Sequence, residues 1–204
     1  MGEGKRLVLA PGASWSEAAG LAAAVLRDGG VAFLPAEGVY GLHALAADAA
    51  AVERLLAIKP REAEKRFIGL IAKPDELGRW TEPSPVASAL AVAHWPGALT
   101  LVLRASSSIP DSMRSADGTV ALRCPGNPFL RAVVAGAGGI VISTSANQAG
   151  EPPSIRPEGS LVSSVDLVVD QGELSGTPST VALVEGDRVR VLREGAVRLG
   201  GRRT

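Results

Sequence analysis

Cysteine, histidine, net charge and long apolar runs are what this 204-residue sequence has least of. Its single cysteine, Cys124, cannot close an internal disulfide, and its two histidines, His43 and His94, stand too far apart to join it in a zinc cluster of recognisable spacing. A disulfide-stapled fold and a Cys/His zinc site are thereby excluded, no metal ligand is assigned, and a reducing, cytoplasmic compartment is expected. Twenty-one basic residues balance twenty-one acidic ones. No whole-molecule field then draws the chain to nucleic acid or anionic lipid, and any such binding has to come from a local patch. No apolar stretch approaches the roughly 20 residues of a spanning helix, and residues 7–10 are too short for a signal-peptide core ahead of Pro11 and Gly12. No membrane partner is expected.

What is present reads as ordinary globular sequence, 46% hydrophobic and 21% charged, which leaves no room for disorder or collagen-like repeats. Residues 7–10 look like a strand. Ser14 and Glu17 stand at capping-box spacing ahead of an alanine-rich helix that runs to Arg27 and is closed by Asp28-Gly29-Gly30. Residues 31–34 form a second short strand stopped by Pro35, and Asp48 caps a helix that reaches Lys59. Residues 67–71, 99–103, 119–123, 140–143, 167–169 and 180–184 read as further strands from their branched content and flanking turns. Ser84-Pro85 and Asn127-Pro128 each place a capping side chain before a proline at the first helical position, so helices are expected over 87–94 and 129–134. Residues 181–192, around Glu185-Gly186-Asp187, read as a hairpin. Irregular alternation with a terminal hairpin predicts a single α/β domain, its sheet twisted and mixed with flanking helices. Residues 148–157 read as a loop within it.

Phosphate loops are the first chemistry to seek in such a chain, and none is found: Gly4-Lys5 follows no strand, and Gly136-Ala137-Gly138-Gly139 leaves a helix and enters a strand, the reverse of dinucleotide order. Cys124 has no local base and reads as packing. Three segments carry more. Lys59, Arg61, Lys65 and Arg66 put four cations into eight residues; lysine offers a point charge and arginine a planar fork for phosphate or carboxylate, the alternative being a solvated loop paired with Glu62 and Glu64. Ser143-Thr144-Ser145-Ala146-Asn147 leaves the end of an apolar strand, where open α/β sheets place ligands, although a hydrogen-bonded turn would use the same residues. Residues 35–42, Pro-Ala-Glu-Gly-Val-Tyr-Gly-Leu, also follow a strand; their glycines allow close backbone approach, and Tyr40 offers either a flat face for a base or a buried hydroxyl. Arg123, Ser179-Thr180 and Arg193 sit at strand ends.

Taken in order, these pieces resemble the YrdC-like threonylcarbamoyl-AMP synthase family. Seven motifs carry the likeness: residues 35–42, Lys59-Pro60-Arg61, Trp95-Pro96-Gly97, Leu122-Arg123-Cys124-Pro125, Ser145-Ala146-Asn147, Ser179-Thr180-Val181 and Leu192-Arg193-Glu194-Gly195. The resemblance spans about Gly20 to Val197 and implies a YrdC-like, double-stranded-RNA-binding-type domain over 7–197 followed by a short tail, 198–204. It implies an enzyme that joins threonine, bicarbonate and ATP, with magnesium, into threonylcarbamoyl-AMP and pyrophosphate for tRNA modification. Partners would be tRNA-modification proteins and tRNA or double-stranded RNA. Lys59, Arg61, Ser145 and Asn147 match the family's catalytic positions. Lys65, Thr119, Arg193 and Pro153 match positions that contact ATP; Gly38, Tyr40, Leu70, Arg123, Ser143 and Ser179 fall at positions of the amino-acid site. The departures gather there: two family threonines are Ala36 and Gly38, a histidine is Leu70, the proline after Lys65 is Arg66, and the glutamate before Ser-Thr-Val is Pro178. ATP handling is expected to be kept and threonine recognition weakened, with threonine at position 38 expected to restore it. The ending Leu-Arg-Glu-Gly also resembles the YciO-like branch, so an alternative is a paralogue acting on another small acid, or a non-catalytic RNA-binding protein.

Overall fold

Helix caps set the frame on which the site is built. In the computed structural model, which describes residues 5–9, 14–59, 67–148 and 151–199, Asp48 accepts from the Ala51 amide to start α2 (Ala49–Ile58). Ser84 accepts from the Ala87 amide to start α4 (Pro85–His94), and Asn127 accepts from the amides of Phe129 and Leu130 to start α5 (Pro128–Ala137). All three caps stand where the sequence places them. α1 (Ser16–Arg27) differs: Trp15, already in a helical conformation, occupies the cap position with no side-chain cap, and the Ser14 hydroxyl meets Ser16 instead. A short α3 (Leu77–Trp80) has too little sequence of its own to be read in advance.

Between the helices run β1 (Lys5–Val8), β2 (Ala32–Pro35), β3 (Tyr40–Leu45), β4 (Ile68–Leu70), β5 (Leu99–Arg104), β6 (Thr119–Arg123), β7 (Val141–Ser145), β8 (Leu167–Asp170), β9 (Thr180–Glu185) and β10 (Arg188–Arg193). They form one sheet in the order β1-β8-β2-β3-β7-β4-β6-β5-β9-β10, with parallel and antiparallel pairs mixed as expected. β3 is a strand that the sequence pattern does not announce: Gly41 and His43 take alternate positions on one of its faces, so the branched run that signals a strand is missing.

Alternation of side chains gives the sheet two unequal faces. Phe33, Leu42, Ala44, Ile142, Leu122, Leu101 and Ala182 point to one side, where α2, α3 and α4 cover them in the larger core. On the other side Ala32, Leu34, Leu70, Val141, Leu167 and Val169 are covered by α1 and α5. These two helices approach closely because Gly136 has no side chain; a Cβ there would lie 2.8 Å from that of Ala23. They cover only part of their face. Ile68, Val102, Ala121, Arg123, Ser143 and Val181 are left to line a cavity.

Candidate active site

The cavity, about 540 Å³, opens on the part of the sheet that α1 and α5 do not reach. Lys59 stands one residue beyond α2, where the chain leaves its last helical turn. Its ammonium donates to the Ser145 carbonyl, to Ser145 Oγ at 3.1 Å and to Asn147 Oδ1 at 3.0 Å. The Asn147 amide nitrogen in turn donates to the carbonyls of Gln148 (3.1 Å) and Glu151 (2.7 Å). A strand end, a helix end and a loop thus meet around one cation.

Across the cavity stand two arginines. Arg193, from the edge strand β10, donates through Nε and Nη2 to the Ser179 carbonyl at 3.1 and 2.8 Å, and through Nη2 to Ser179 Oγ at 3.0 Å. Thr100 shares a 3.0 Å hydrogen bond with the same hydroxyl. Arg123, on β6, is nearly buried and pairs with Glu37 at 3.1 Å, while its Nε has no partner. Burial first, and then the positive charge of Arg123, lower the Arg193 pKa from its ordinary value. Two cations that repel each other across a concave surface form a receptor for an anion.

Glu37 is the residue the sequence reading left unassigned. Its Oε1 accepts from the Gly126 amide at 2.5 Å and its Oε2 faces Arg123, so it ties the β2–β3 loop to the turn ahead of α5. Nothing local announces this, because the two halves of the ion pair lie far apart in the chain. Tyr40 resolves to the second of its two readings: its ring is buried against Phe33 at 5.5 Å, its hydroxyl donates to the Gly172 carbonyl (2.7 Å) and accepts from the Gln171 amide (2.9 Å). Burial raises the pKa of that phenol.

Lys59, Ser145, Asn147, Pro153, Gly38, Tyr40, Arg123, Ser143, Ser179 and Arg193 therefore line one cavity. Thr119 and Leu70 do not. Thr119 faces a second groove and donates to Asp117 Oδ1 at 2.6 Å; Leu70 is buried beneath α1 and α5. Arg61, Lys65 and Arg66 lie outside the described residues. Gly38 corrects the expectation attached to it. A Cβ there would come within 2.1 Å of the Thr177 carbonyl oxygen and 2.7 Å of Ser175 Oγ, and the Gly38 carbonyl already accepts from the Gly176 amide at 2.7 Å. The segment 175–177 occupies the space a threonine side chain would need. Cys124 is buried with its thiol pushed up to about 11, chiefly by desolvation, which makes it a poor nucleophile. Among the described residues no group of three or more His, Cys, Asp or Glu is placed to hold a metal ion, and no helix is long and apolar enough to cross a membrane.

Comparison with known proteins agrees with this geometry. The family model Sua5_yciO_yrdC, described as "Telomere recombination", matches residues 24–195. A threonylcarbamoyl-AMP synthase of Xanthomonas oryzae pv. oryzae is 35% identical over 182 residues, which is 86% of this chain and 94% of that protein. The crystal structure of P. abyssi Sua5 complexed with L-threonine superposes with a TM-score of 0.82 at 29% identity, over 93% of this chain and 56% of that one. This chain thus spans less than two thirds of the Sua5 protein. E. coli YciO matches with a TM-score of 0.86 at 25% identity, over 97% of this chain and 98% of that one.

Proposed function

Because the chain belongs to the Sua5/YciO/YrdC family, we propose that it is a threonylcarbamoyl-AMP synthase, a nucleotidyltransferase that converts threonine, bicarbonate and ATP into threonylcarbamoyl-AMP and pyrophosphate for tRNA modification. One observation supports this reading above the others: Lys59, Ser145 and Asn147 on one side and Arg123, Arg193 and Ser179 on the other face a single cavity. Two anions must be held together there and kept from water, and the cations stand on both sides.

In the reaction, the threonine amine and bicarbonate combine with loss of water to a carbamate. A carbamate oxygen then attacks the α-phosphorus, and the bond to the bridging oxygen breaks as pyrophosphate leaves. Arg123 and Ser179 hold the carboxylate and neighbouring atoms of the amino acid, and Ser143 lines the same pocket. Lys59 is already aimed by Ser145 and Asn147, so phosphate oxygens meet a positioned ammonium rather than a mobile one, and Arg61 and Lys65, which follow it in the sequence, are proposed as further cations for the nucleotide. Magnesium would enter as the companion of the nucleotide, held by the phosphates: Glu37, the carboxylate that lines the cavity among the described residues, is engaged by Arg123 and Gly126, and Ser145 Oγ already accepts from Lys59. Its charge would ease pyrophosphate departure. The product would pass to a partner that transfers the threonylcarbamoyl group to tRNA.

The match to nearly the whole of E. coli YciO, together with Gly38, which does line the cavity, favours a second reading in which the activated acid is not threonine. Both readings meet one experiment. Purified protein mixed with ATP, magnesium, bicarbonate and a panel of amino acids is followed by pyrophosphate release and by the mass of the mixed anhydride. Threonine-dependent anhydride supports the first reading, another acid in its place the second, and intact ATP with every acid overturns both.

A further inference from the structure

A histidine that none of these roles uses lies behind the cavity lining, next to Gly41 and Ser143, which do line it. His43, on β3, stands directly opposite Ser143 of β7, and alternation places both on the face that carries the cavity. The side chain is fully buried, neither Nδ1 nor Nε2 makes a hydrogen bond of normal geometry, and the backbone groups of Gly41 and Ala32 that face it favour its protonated form too weakly to offset burial. Its ring folds back along its own strand: a Cβ built on Gly41, which lines the cavity, would stand 2.9 Å from Cε1 and 3.3 Å from Nε2. Burial and the nearby Arg123 keep the imidazole neutral, with its pKa pulled from 6.5 to about 3.

A neutral imidazole carries one donor nitrogen and one acceptor nitrogen. Leaving both unmade in the interior costs stability that an apolar side chain of similar bulk would not cost. Directly opposed residues on paired strands have Cβ atoms about 4.5–5.5 Å apart, a span that a serine hydroxyl and an imidazole nitrogen close with a change of rotamer. Ser143 lines the cavity, so its hydroxyl has the buried histidine on one side and the substrate space on the other.

We propose that His43 is a positioning residue for the amino-acid substrate: it accepts the Ser143 hydroxyl proton and so turns the Ser143 oxygen lone pairs toward the substrate's amino nitrogen. The inference rests on reading the cavity as an amino-acid-activating site. It assigns His43 no contact with ATP and no proton transfer. It also places a polar determinant of the amino-acid pocket on the third strand, away from Ala36 and Gly38.

Calorimetry of threonine binding to protein loaded with a non-hydrolysable ATP analogue tests it. In His43→Leu, which keeps bulk and removes both nitrogens, threonine affinity falls about tenfold while affinity for the analogue is unchanged. His43→Gln, which restores a donor and an acceptor, recovers part of the loss. In a Ser143→Ala background the same His43→Leu change has no further effect. Equal threonine affinity in wild type and His43→Leu overturns the proposal, and so does an undiminished loss in the Ser143→Ala background. If His43→Leu does not fold, ring-nitrogen chemical shifts of His43 in the wild type decide: one nitrogen moves to a hydrogen-bonded value when threonine is added, and no movement overturns the proposal. A wild-type protein that binds the analogue but neither threonine nor any other small amino acid sinks the amino-acid reading of the cavity itself, a result distinct from failure of the His43 role alone.

Discussion

At the Lys59 end of the cavity the polar groups are already matched to protein partners: the ammonium to Ser145 and Asn147, and the Asn147 amide to two backbone carbonyls. At the Arg123 end the matching is partial: Arg123 pairs with Glu37 and Arg193 with Ser179. Arg123 Nε and both nitrogens of His43 remain buried without a hydrogen-bond partner of normal geometry. Matched groups hold their geometry before the ligand arrives, and so belong with the part of the substrate that every turnover shares. Unmatched buried groups reward a ligand that completes them and penalise one that cannot, which is how a pocket tells similar small molecules apart. One end is built for positioning and the other for selection.

The comparison can be broken most sharply at Lys59. Lys59→Ala is expected to lower ATP-dependent anhydride formation by about 100-fold or more with the fold kept, measured by pyrophosphate release alongside thermal melting; near-normal turnover would show that the matched end does not position the nucleotide. Next comes Arg123→Lys, which keeps the charge and loses the planar fork. It should raise the threonine KM by roughly 10–100-fold and leave the ATP KM alone, and an equal rise in both would erase the division between the two ends. Gly38→Thr sharpens it, since the clash with the Thr177 carbonyl predicts a loss of about 1–3 kcal/mol of stability and weaker threonine binding by calorimetry.

The remaining test is of acid stability. His43 has its folded pKa depressed to about 3 from 6.5, so below the unfolded value the unfolded chain takes up a proton that the folded chain refuses. Stability contributed this way is full above about pH 6.5 and falls on acidification toward pH 3, by up to about 1.4 kcal/mol per pH unit. Denaturant melts of wild type and His43→Leu between pH 7 and 4 should diverge, the wild type losing more. Parallel curves would mean that the imidazole is not held neutral.

Much of the scaffold was legible because its causes are local. Asp48, Ser84-Pro85 and Asn127-Pro128 cap helices through atoms two or three residues away, and β6 falls where branched residues lie between turn formers. β3 was missed because the residues that make it useful, Gly41 and His43, are those that spoil its strand pattern. The α1 start was misplaced because Trp15 entered the helix without any side-chain cap. At the site, Lys59, Ser145, Asn147, Arg123, Ser179 and Arg193 could be singled out by residue type and order, since phosphate and carboxylate recognition uses few side chains. Glu37, the segment 175–177 against Gly38, and the burial of Leu70 were not visible, because each is a contact between distant parts of the chain.

The sequence by itself determined the helix caps, most strands, the neutral charge that excludes field-driven binding, and the inventory of cations and hydroxyls, all of which depend on neighbours in the chain or on composition. Only the tertiary structure decided that α1 and α5 cover half of one sheet face and leave the other half open. That choice brings Lys59, Arg123 and Arg193 to one cavity, buries Leu70 away from it, and buries His43 opposite Ser143 of its lining. The physical reason is that strand order and helix packing are fixed by long-range burial, which no window of neighbouring residues encodes.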